Sequence, residues 1–426
     1  MHPRLLIIGI NFAPESSGIA PYTASLARGM VELGWKVKVI TGFPHYPQWA
    51  VYEGYEGRTR TERDGEIEIL RLRHYVPGRP KLLNRLLMEL DFGLRSVLAD
   101  WSEPDVVLFV SPGLFSSAVA VLRAKLSRRR PGTAVWVQDL YSRGLEELHA
   151  SAASLAPVMR AVESATLRAV NRTIVIHDRF YHHVVDGLGV DAQRVFVQRN
   201  WSHIAARSHV DVAAVRRGRG WATDDIVVLH AGNMGLKQNL ENVVESARIA
   251  TETGSRVRIV LLGAGSQRQR LHNLAKGVDR LDFIDPLPDD EYRDVLAAAD
   301  ILLVNESPEL REMCVPSKLT SYFSTGRPVL AAVNKGSATA GEVEASKAGV
   351  VIAPGDPHQL VRAAEEMGAD RASASALGDH GPAYATEHLS TATAMCRWDE
   401  VLRALLQPSH EPMAPDRLQS PSQVRP

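Results

Sequence analysis

Two cysteines in 426 residues, Cys314 and Cys396, are too few for a disulfide framework and stand in no metal-ligand spacing. That scarcity fits a reducing cytosol. Charge of one sign is lacking too, since 49 Lys and Arg balance 49 Asp and Glu. No global field favours nucleic acid or an anionic membrane, so nucleic acid is not an expected partner and any membrane preference needs a local patch. Long apolar runs are also missing. The run in "MHPRLLIIGINFAPE" is too short for a signal-peptide core. The longest uncharged run, from Val106 to Leu122, contains "SPG" and two serines. It suits a buried strand, a loop and a helix start better than a span of about 20 apolar residues. The histidines, including His177 and the pair His182–His183, show no metal spacing, and no metal or other cofactor is expected.

What the chain does have is alternation. "RLLIIGI", "KVKVIT", "DVVLFVS", "TAVWVQD", "RTIVIH" and "RVFVQRN" read as strands, with helical stretches between most of them. Near residues 208–223 the pattern breaks into "SHVDVAAVRRGRGWAT", which reads as a linker. A second series follows: "DIVVLHAG", "RVRIVLLGAG", "LDFIDPL", "ADILLVNES", "RPVLAAV" and "AGVVIAP". Apolar strands alternating with helices predict parallel sheets covered on both faces. The expected architecture is α/β, with two tandem Rossmann-like doubly wound domains and a cleft between their strand ends. The expected boundaries are residues 1–207, residues 208–381, a helix over 382–407 that returns to the first domain, and a disordered proline-rich tail over 408–426.

Three turns carry candidate chemistry. In "HAGNMGLKQNLENVVESA" the turn holding Gly232, Asn233, Gly235, Lys237 and Gln238 joins a strand to a helix. Glycines let an anion approach the backbone, and a helix N-terminus with a lysine supplies positive potential, so a phosphate or diphosphate is the natural occupant. A turn that needs glycine only for its own geometry fits the same residues. In "VPSKLTSYFSTGRPVLAAV", Pro316 fixes a turn, Ser317 suits an N-cap, and Lys318 sits in the first turn of a short helix with Leu319, Thr320 and Ser321, ending near Gly326. A lysine there opposes the helix dipole and is tolerable if an anion lies nearby. In "NFAPESSGIAPYT", Gly18 and Ile19 precede the first helix and present backbone donors, or simply connect strand to helix. Gly263 and Gly265 of "GAGSQRQRL" follow another strand, but a full dinucleotide fingerprint is missing, which argues against a nicotinamide oxidoreductase.

Six blocks, "INFAPESSGIAPYT", "VITGFPHYPQW", "VQDL", "NWSHIA", "GNMGLKQNLENVVESA" and "VPSKLTSYFSTGRPVLA", lie in order from residue 9 to about residue 333. Together they resemble glycosyltransferase family four, retaining sugar-nucleotide enzymes of the GT-B fold, and most closely its colanic-acid-type branch of exopolysaccharide and O-antigen synthesis. The resemblance implies a nucleoside-diphosphate sugar donor bound by the second domain and a lipid-linked or oligosaccharide acceptor. Lys237 matches the family lysine on the diphosphate. The arginine that usually follows the first glycine is here Asn233. The family's two glutamates eight residues apart are also missing. Ser321 takes the second position, Glu312 stands one residue from the first, and Lys318 is what this chain offers instead. Glu342 and Glu344 are candidate replacements. Gln138 and Asp139 end a strand where relatives carry a polar group that orients or deprotonates an acceptor, although an aspartate there also suits a turn cap. His45, Tyr46 and Trp49 suit sugar stacking or loop packing.

No aspartate-rich metal motif is present, so turnover is expected without a divalent ion; activity abolished by a chelator contradicts this. "KLLNRLLMELDFGLRSVL" spaces Leu83, Leu86, Leu87, Leu90, Leu94 and Val97 as a helical stripe, with Arg79, Lys81, Arg85 and Arg95 nearby. Residues 79–98 suit either a helix packed on the sheet or a peripheral contact at the inner face of the plasma membrane. A GT-B sugar-nucleotide epimerase and a non-catalytic partner of a polysaccharide assembly complex are the alternative functions.

Overall fold

The computed structural model describes residues 2–15, 18–78, 82–141, 156–202, 210–310 and 318–406. The chain forms two compact units, one of Met1–Arg199 with Met395–Pro426, the other of Asn200–Ala394.

The first unit holds β1 (Arg4–Ile8), β2 (Lys36–Gly42), β3 (Thr59–Asp64), β4 (Ile67–Leu72), β5 (Val106–Val110), β6 (Gly132–Val137), β7 (Arg172–Val175) and β8 (Val195–Val197) in one sheet of order β3-β4-β2-β1-β5-β6-β7-β8. All pairings are parallel except β3 with β4. Central strands such as β5 are buried at every position, as continuous apolar runs demand when helices cover both faces. The order reverses between β1 and β5, so the strand ends there form a switch point. The β3–β4 hairpin at the edge was not expected. Its "TRTERDGEIEILRL" alternates charged and apolar residues around Gly65, which has φ +57°.

The helix Leu82–Leu98 turns much of its leucine stripe outward. Met88, Glu89, Phe92 and Ser96 are buried, whereas Leu83, Leu87, Leu94 and Leu98 of the opposite face are 65%, 57%, 57% and 86% exposed. Gly93 decides this orientation. A Cβ there would lie 2.8 Å from Ser116 Cα of the helix Leu114–Leu126, so the two backbones meet along the glycine side. Arg79 and Lys81 lie outside the described residues. The helix Thr391–Ala404 joins this unit from Met395 onward. Trp398 packs edge-on to Trp136 at 4.9 Å, and Trp35 Nε1 donates to Asp399 at 2.6 Å.

The second unit holds β9 (Ile226–Ala231), β10 (Val257–Leu262), β11 (Leu281–Ile284), β12 (Ile301–Asn305), β13 (Val329–Ala332) and β14 (Gly349–Ile352), all parallel, in the order β11-β10-β9-β12-β13-β14. Its switch point lies between β9 and β12. Part of the expected linker is a helix, Val212–Arg219. Asp211 caps it by accepting from Ala214 N–H at 2.9 Å, and Gly220 ends it at φ +71°. Arg216 ties it down through Asp300 at 2.9 Å and the carbonyls of Ala222 and Asp225. One arginine of the stretch read as a linker is thus what fastens it. The tail over 408–426 lies outside the described residues.

Candidate active site

At the switch point of the second sheet, β9 and β12 pair only through Ile301 with Val228 and Leu302 with Leu229. Beyond that they part, and the Tyr322 hydroxyl from the helix Lys318–Phe323 accepts from Ala231 N–H at 2.8 Å. Tyr322 is fully buried, so a phenol completes the ladder where a strand no longer does. The residues that follow β9 form the glycine–lysine turn. Gly232 has φ +127° and Gly263, after β10, φ +135°. A Cβ on Gly263 would stand 2.1 Å from Gly232 O, and one on Gly265 2.4 Å from Met234 O. The glycines after β10 thus admit the neighbouring backbone, a packing role.

The amides of the turn are also largely taken up by protein acceptors. Gly232 N–H donates to Leu262 O at 2.9 Å, Met234 N–H to Ala264 O at 2.8 Å, and Gly235 N–H to Gln238 Oε1 at 3.0 Å. The open nest of donors that two glycines suggested is therefore mostly filled by protein. Asn305, at the end of β12, donates to Gln238 O at 2.8 Å and accepts from Asn242 Nδ2 at 3.1 Å, pinning the turn to the sheet. Asn239 begins the helix Leu240–Thr253 without a side-chain cap, so the helix N-terminus keeps donors uncapped by its side chain. Lys237 and Asn233 are exposed.

Lys318 stands differently. It is half-buried, its Nζ lies 3.1 Å from His230 Nε2, and a Cβ on Gly232 would be 3.7 Å from that ammonium. Burial pulls the Lys318 ammonium down to about 7, with the Glu306 charge opposing the shift. His230, fully buried, is held well below the ordinary imidazole range by desolvation and by the Lys318 charge. Glu306, 7% exposed just past β12, accepts from Thr339 Oγ1 at 2.7 Å. Its carboxyl is raised by burial, against the pull of Thr339 and Lys318. His230, Glu306 and Thr339 were not singled out in the sequence; the polar residues closing the apolar strands "DIVVLHAG" and "ADILLVNES" were the available signal. Leu319, Thr320 and Ser321 are buried, Leu319 within the hydrophobic core. Pro316, Ser317, Glu312 and Cys314 lie outside the described residues. Glu342 is buried and accepts from Tyr384 Oη at 2.7 Å, while Glu344 is exposed.

In the first unit, Asp139 is exposed just past β6 and its Oδ1 accepts from Leu140 N–H at 3.0 Å, the turn-cap arrangement. Gln138 N–H donates to Ser111 Oγ at 2.8 Å. Past β2, His45 is 1% exposed, with Nδ1 3.0 Å from Phe43 O, so its ring is a packing element. Tyr46 and Trp49 are half-buried with rings 6.0 Å apart, and the Arg85 guanidinium lies 5.9 Å from the Trp49 ring. Glu15, which the sequence reading passed over, fixes that loop by accepting from His45 N–H at 2.7 Å and Tyr46 N–H at 2.8 Å. Gly18, at φ +66°, faces the Tyr46 ring, and Ile19 is buried as the first helix begins. Among the described residues, no group of three or more His, Cys, Asp or Glu is placed to hold a metal ion.

Residues 17–201 match the family described as glycosyl transferase 4-like domain, and residues 225–370 match glycosyl transferases group 1. The chain is 31% identical over 337 residues to the putative colanic acid biosynthesis glycosyl transferase WcaI of Escherichia coli, covering 76% of this chain and 81% of that one. Among solved structures it is similar to the sucrose-phosphate synthase of Thermosynechococcus elongatus, with TM-score 0.71 and 16% identity over 95% of this chain and 99% of that one. It is similar also to HepE of Anabaena in complex with UDP, with TM-score 0.70 and 14% identity over 94% and 100%. WaaG, described as a glycosyltransferase of lipopolysaccharide biosynthesis, gives a TM-score of 0.64 at 14% identity over 93% and 99%.

Proposed function

Because the chain belongs to the GT-B glycosyltransferases that join a glycosyl transferase 4-like domain to a group 1 domain, we propose that it moves a sugar from a nucleoside diphosphate to a lipid-linked or oligosaccharide acceptor in surface-polysaccharide assembly. The observation that carries this reading is the Lys318 ammonium held beside Gly232 at the switch point of the second sheet. Departure of a sugar from a diphosphate is limited by charge building on the leaving oxygens. Fixed positive groups at that place lower the barrier without reorganising during the reaction. Lys318 supplies such a group, and the uncapped N-terminus of the helix Leu240–Thr253 adds its dipole. Lys237, exposed on the turn between, is the second cation proposed to meet the diphosphate. Gly232, Gly235, Asn233 and Gln238 shape the turn that the diphosphate would meet. In the first unit, Asp139 is the group proposed to orient the acceptor hydroxyl, with Gln138 beside it and Tyr46 and Gly18 in the loops after β2 and β1. Transfer with retention is the stereochemistry the family resemblance implies.

Polysaccharide assembly is supported by the name of the WcaI relative, and a uridine nucleotide by the HepE complexes with UDP and with UDP-glucose. Thermal-shift screening against nucleoside diphosphates and sugar nucleotides tests the donor. A ligand that binds only the native state raises the melting point by mass action, so one preferred nucleotide is expected to stand out. A flat profile across UDP, ADP, GDP and their sugars would remove the donor assignment.

The acceptor reading includes a peripheral membrane contact. Four outward leucines on the helix Leu82–Leu98 support it, joined by Leu122 and Leu126, 60% and 75% exposed on the adjoining helix Leu114–Leu126. Burying each leucine is worth roughly 1.5–3 kcal/mol, a gain that a lipid surface offers and water does not. Lys125, Arg128, Arg129 and Arg130 are exposed at the end of that second helix and suit anionic headgroups. Among the described residues no helix is long and apolar enough to cross a membrane.

A further inference from the structure

His230 is an expensive residue where it stands. Every position of β9, from Ile226 to Ala231, is buried, and the other five are apolar. The imidazole is fully buried, its Nδ1 makes no hydrogen bond of ordinary geometry, and the backbone of Asn233 and Leu303 offers the ring only weaker polar contacts. An unpaired buried polar nitrogen costs about 1–3 kcal/mol, so stability alone favours an apolar side chain at this position. The one side-chain hydrogen bond the ring makes is to Lys318, Nε2 to Nζ at 3.1 Å. An ammonium has only donors, so Nε2 accepts and the proton of the neutral ring sits on Nδ1, the nitrogen left unpaired. The best-formed hydrogen bond of the ring therefore goes to a cation.

Resting on the donor reading above, we infer that His230 is a positioning residue for the leaving diphosphate: through Nε2 it holds the Lys318 ammonium against the open face of Gly232. Three features converge on that ammonium. Gly232 has no side chain, and a Cβ there would stand 3.6 Å from Lys318 Cε and 3.7 Å from Nζ, in contact with the lysine end. His230 lies within β9, two residues before Gly232, and holds the lysine from inside the sheet. Glu306, tethered by Thr339, contributes a counter-charge that opposes the proton loss burial favours. Without the histidine, a side chain of four methylenes would leave this spot for solvent or for Glu306, and each diphosphate would have to reorder it on binding.

The test uses the full chain and inorganic pyrophosphate, a probe independent of base and sugar. His230→Phe keeps the ring and removes the acceptor; His230→Gln keeps an acceptor oxygen. Thermal unfolding first identifies which variants are folded. Calorimetric titration between about pH 6 and 9 is expected to show binding weakened about tenfold by His230→Phe and nearly restored in His230→Gln. The pH at which affinity is lost should move down in His230→Phe, because the charged lysine loses an acceptor. In a Lys318→Met background, His230→Phe should cost nothing further, since the two act as one unit. Pyrophosphate affinity and pH profile unchanged by His230→Phe, or an equal loss with and without Lys318, would overturn the inference while leaving the donor site standing. Should His230→Phe fail to fold, His230→Gln carries the same comparison: an unchanged pH profile supports the inference, and a loss independent of Lys318 overturns it. A wild-type chain that ignores pyrophosphate overturns the donor reading and this inference together.

Discussion

The two sheets end in different electrostatics. Past the strands of the first unit, buried carboxylates are consumed by the protein: Glu15 holds the amides of His45 and Tyr46, Glu163 holds that of Tyr141, and Glu89 pairs with the Tyr141 hydroxyl and the Phe115 amide. Past β9 and β12 of the second unit, a lysine is set beside a glycine, with a neutral histidine and a tethered glutamate arranged around it. The first arrangement holds loops in place. The second holds a charge in readiness. Equal fold design therefore does not imply equal chemistry, because function depends on what stands at the strand ends.

The sharpest way to break this comparison is Lys318→Met. Loss of the prearranged cation should lower sugar transfer by about a hundredfold, measured with the donor that the thermal-shift panel selects. In the wild type, diphosphate affinity should fall as pH rises through about 7, since only protonated Lys318 attracts the anion. Equal rates in variant and wild type would make the second unit's site as purely structural as the first's loops. Lys237→Ala comes next. Its side chain is exposed and costs entropy to fix, so a loss of about tenfold is expected; a larger loss than that of Lys318→Met would reverse the ranking of the two lysines. Replacing Leu83, Leu87, Leu94 and Leu98 together by Gln should reduce co-sedimentation with anionic phosphatidylglycerol vesicles several-fold and leave nucleotide binding intact. Undiminished vesicle binding would leave those leucines without a partner.

The smallest effect expected is on the first unit's stability. Burial lifts the Glu89 carboxyl from 4.5 to about 8, with the Phe115 amide and Arg85 opposing. Charging it is resisted by the fold, so stability is full below the ordinary carboxylate range and drains as pH rises toward about 8. Glu89→Gln should therefore raise the melting temperature by a few degrees at alkaline pH and change little near pH 4. A pH-independent difference would mean that the carboxyl is not the group responsible.

Much of this was legible in the residue order. Apolar runs such as "DVVLFV" and "RVRIVLL" announced buried parallel strands, because helices on both faces leave no solvent side to pattern. The helix "LENVVESARIA" was readable from Leu240, Val243, Val244 and Ala247, all of which are buried. Other parts misled. The charge-rich "TRTERDGEIEILRL" forms an edge hairpin whose partner is its own neighbour, and the helix in "VAAVRRGRG" is held because Arg216 finds Asp300, distant in sequence, and two carbonyls just beyond the helix. The leucine stripe of residues 83–98 was readable as a stripe, but which way it faced was not.

By itself, then, the sequence determined the alternation of strands and helices, the two sheets and the family, since these follow from local periodicity and from motifs contiguous in the chain. Only the tertiary structure decided that Gly93 would turn the leucines outward and that the two-glycine turn would satisfy most of its own amides. It alone brought His230, Glu306 and Thr339 around Lys318. Those groups come from separate strands and helices up to 109 positions apart, and only the packing at the strand ends pairs His230 with Lys318 and Glu306 with Thr339.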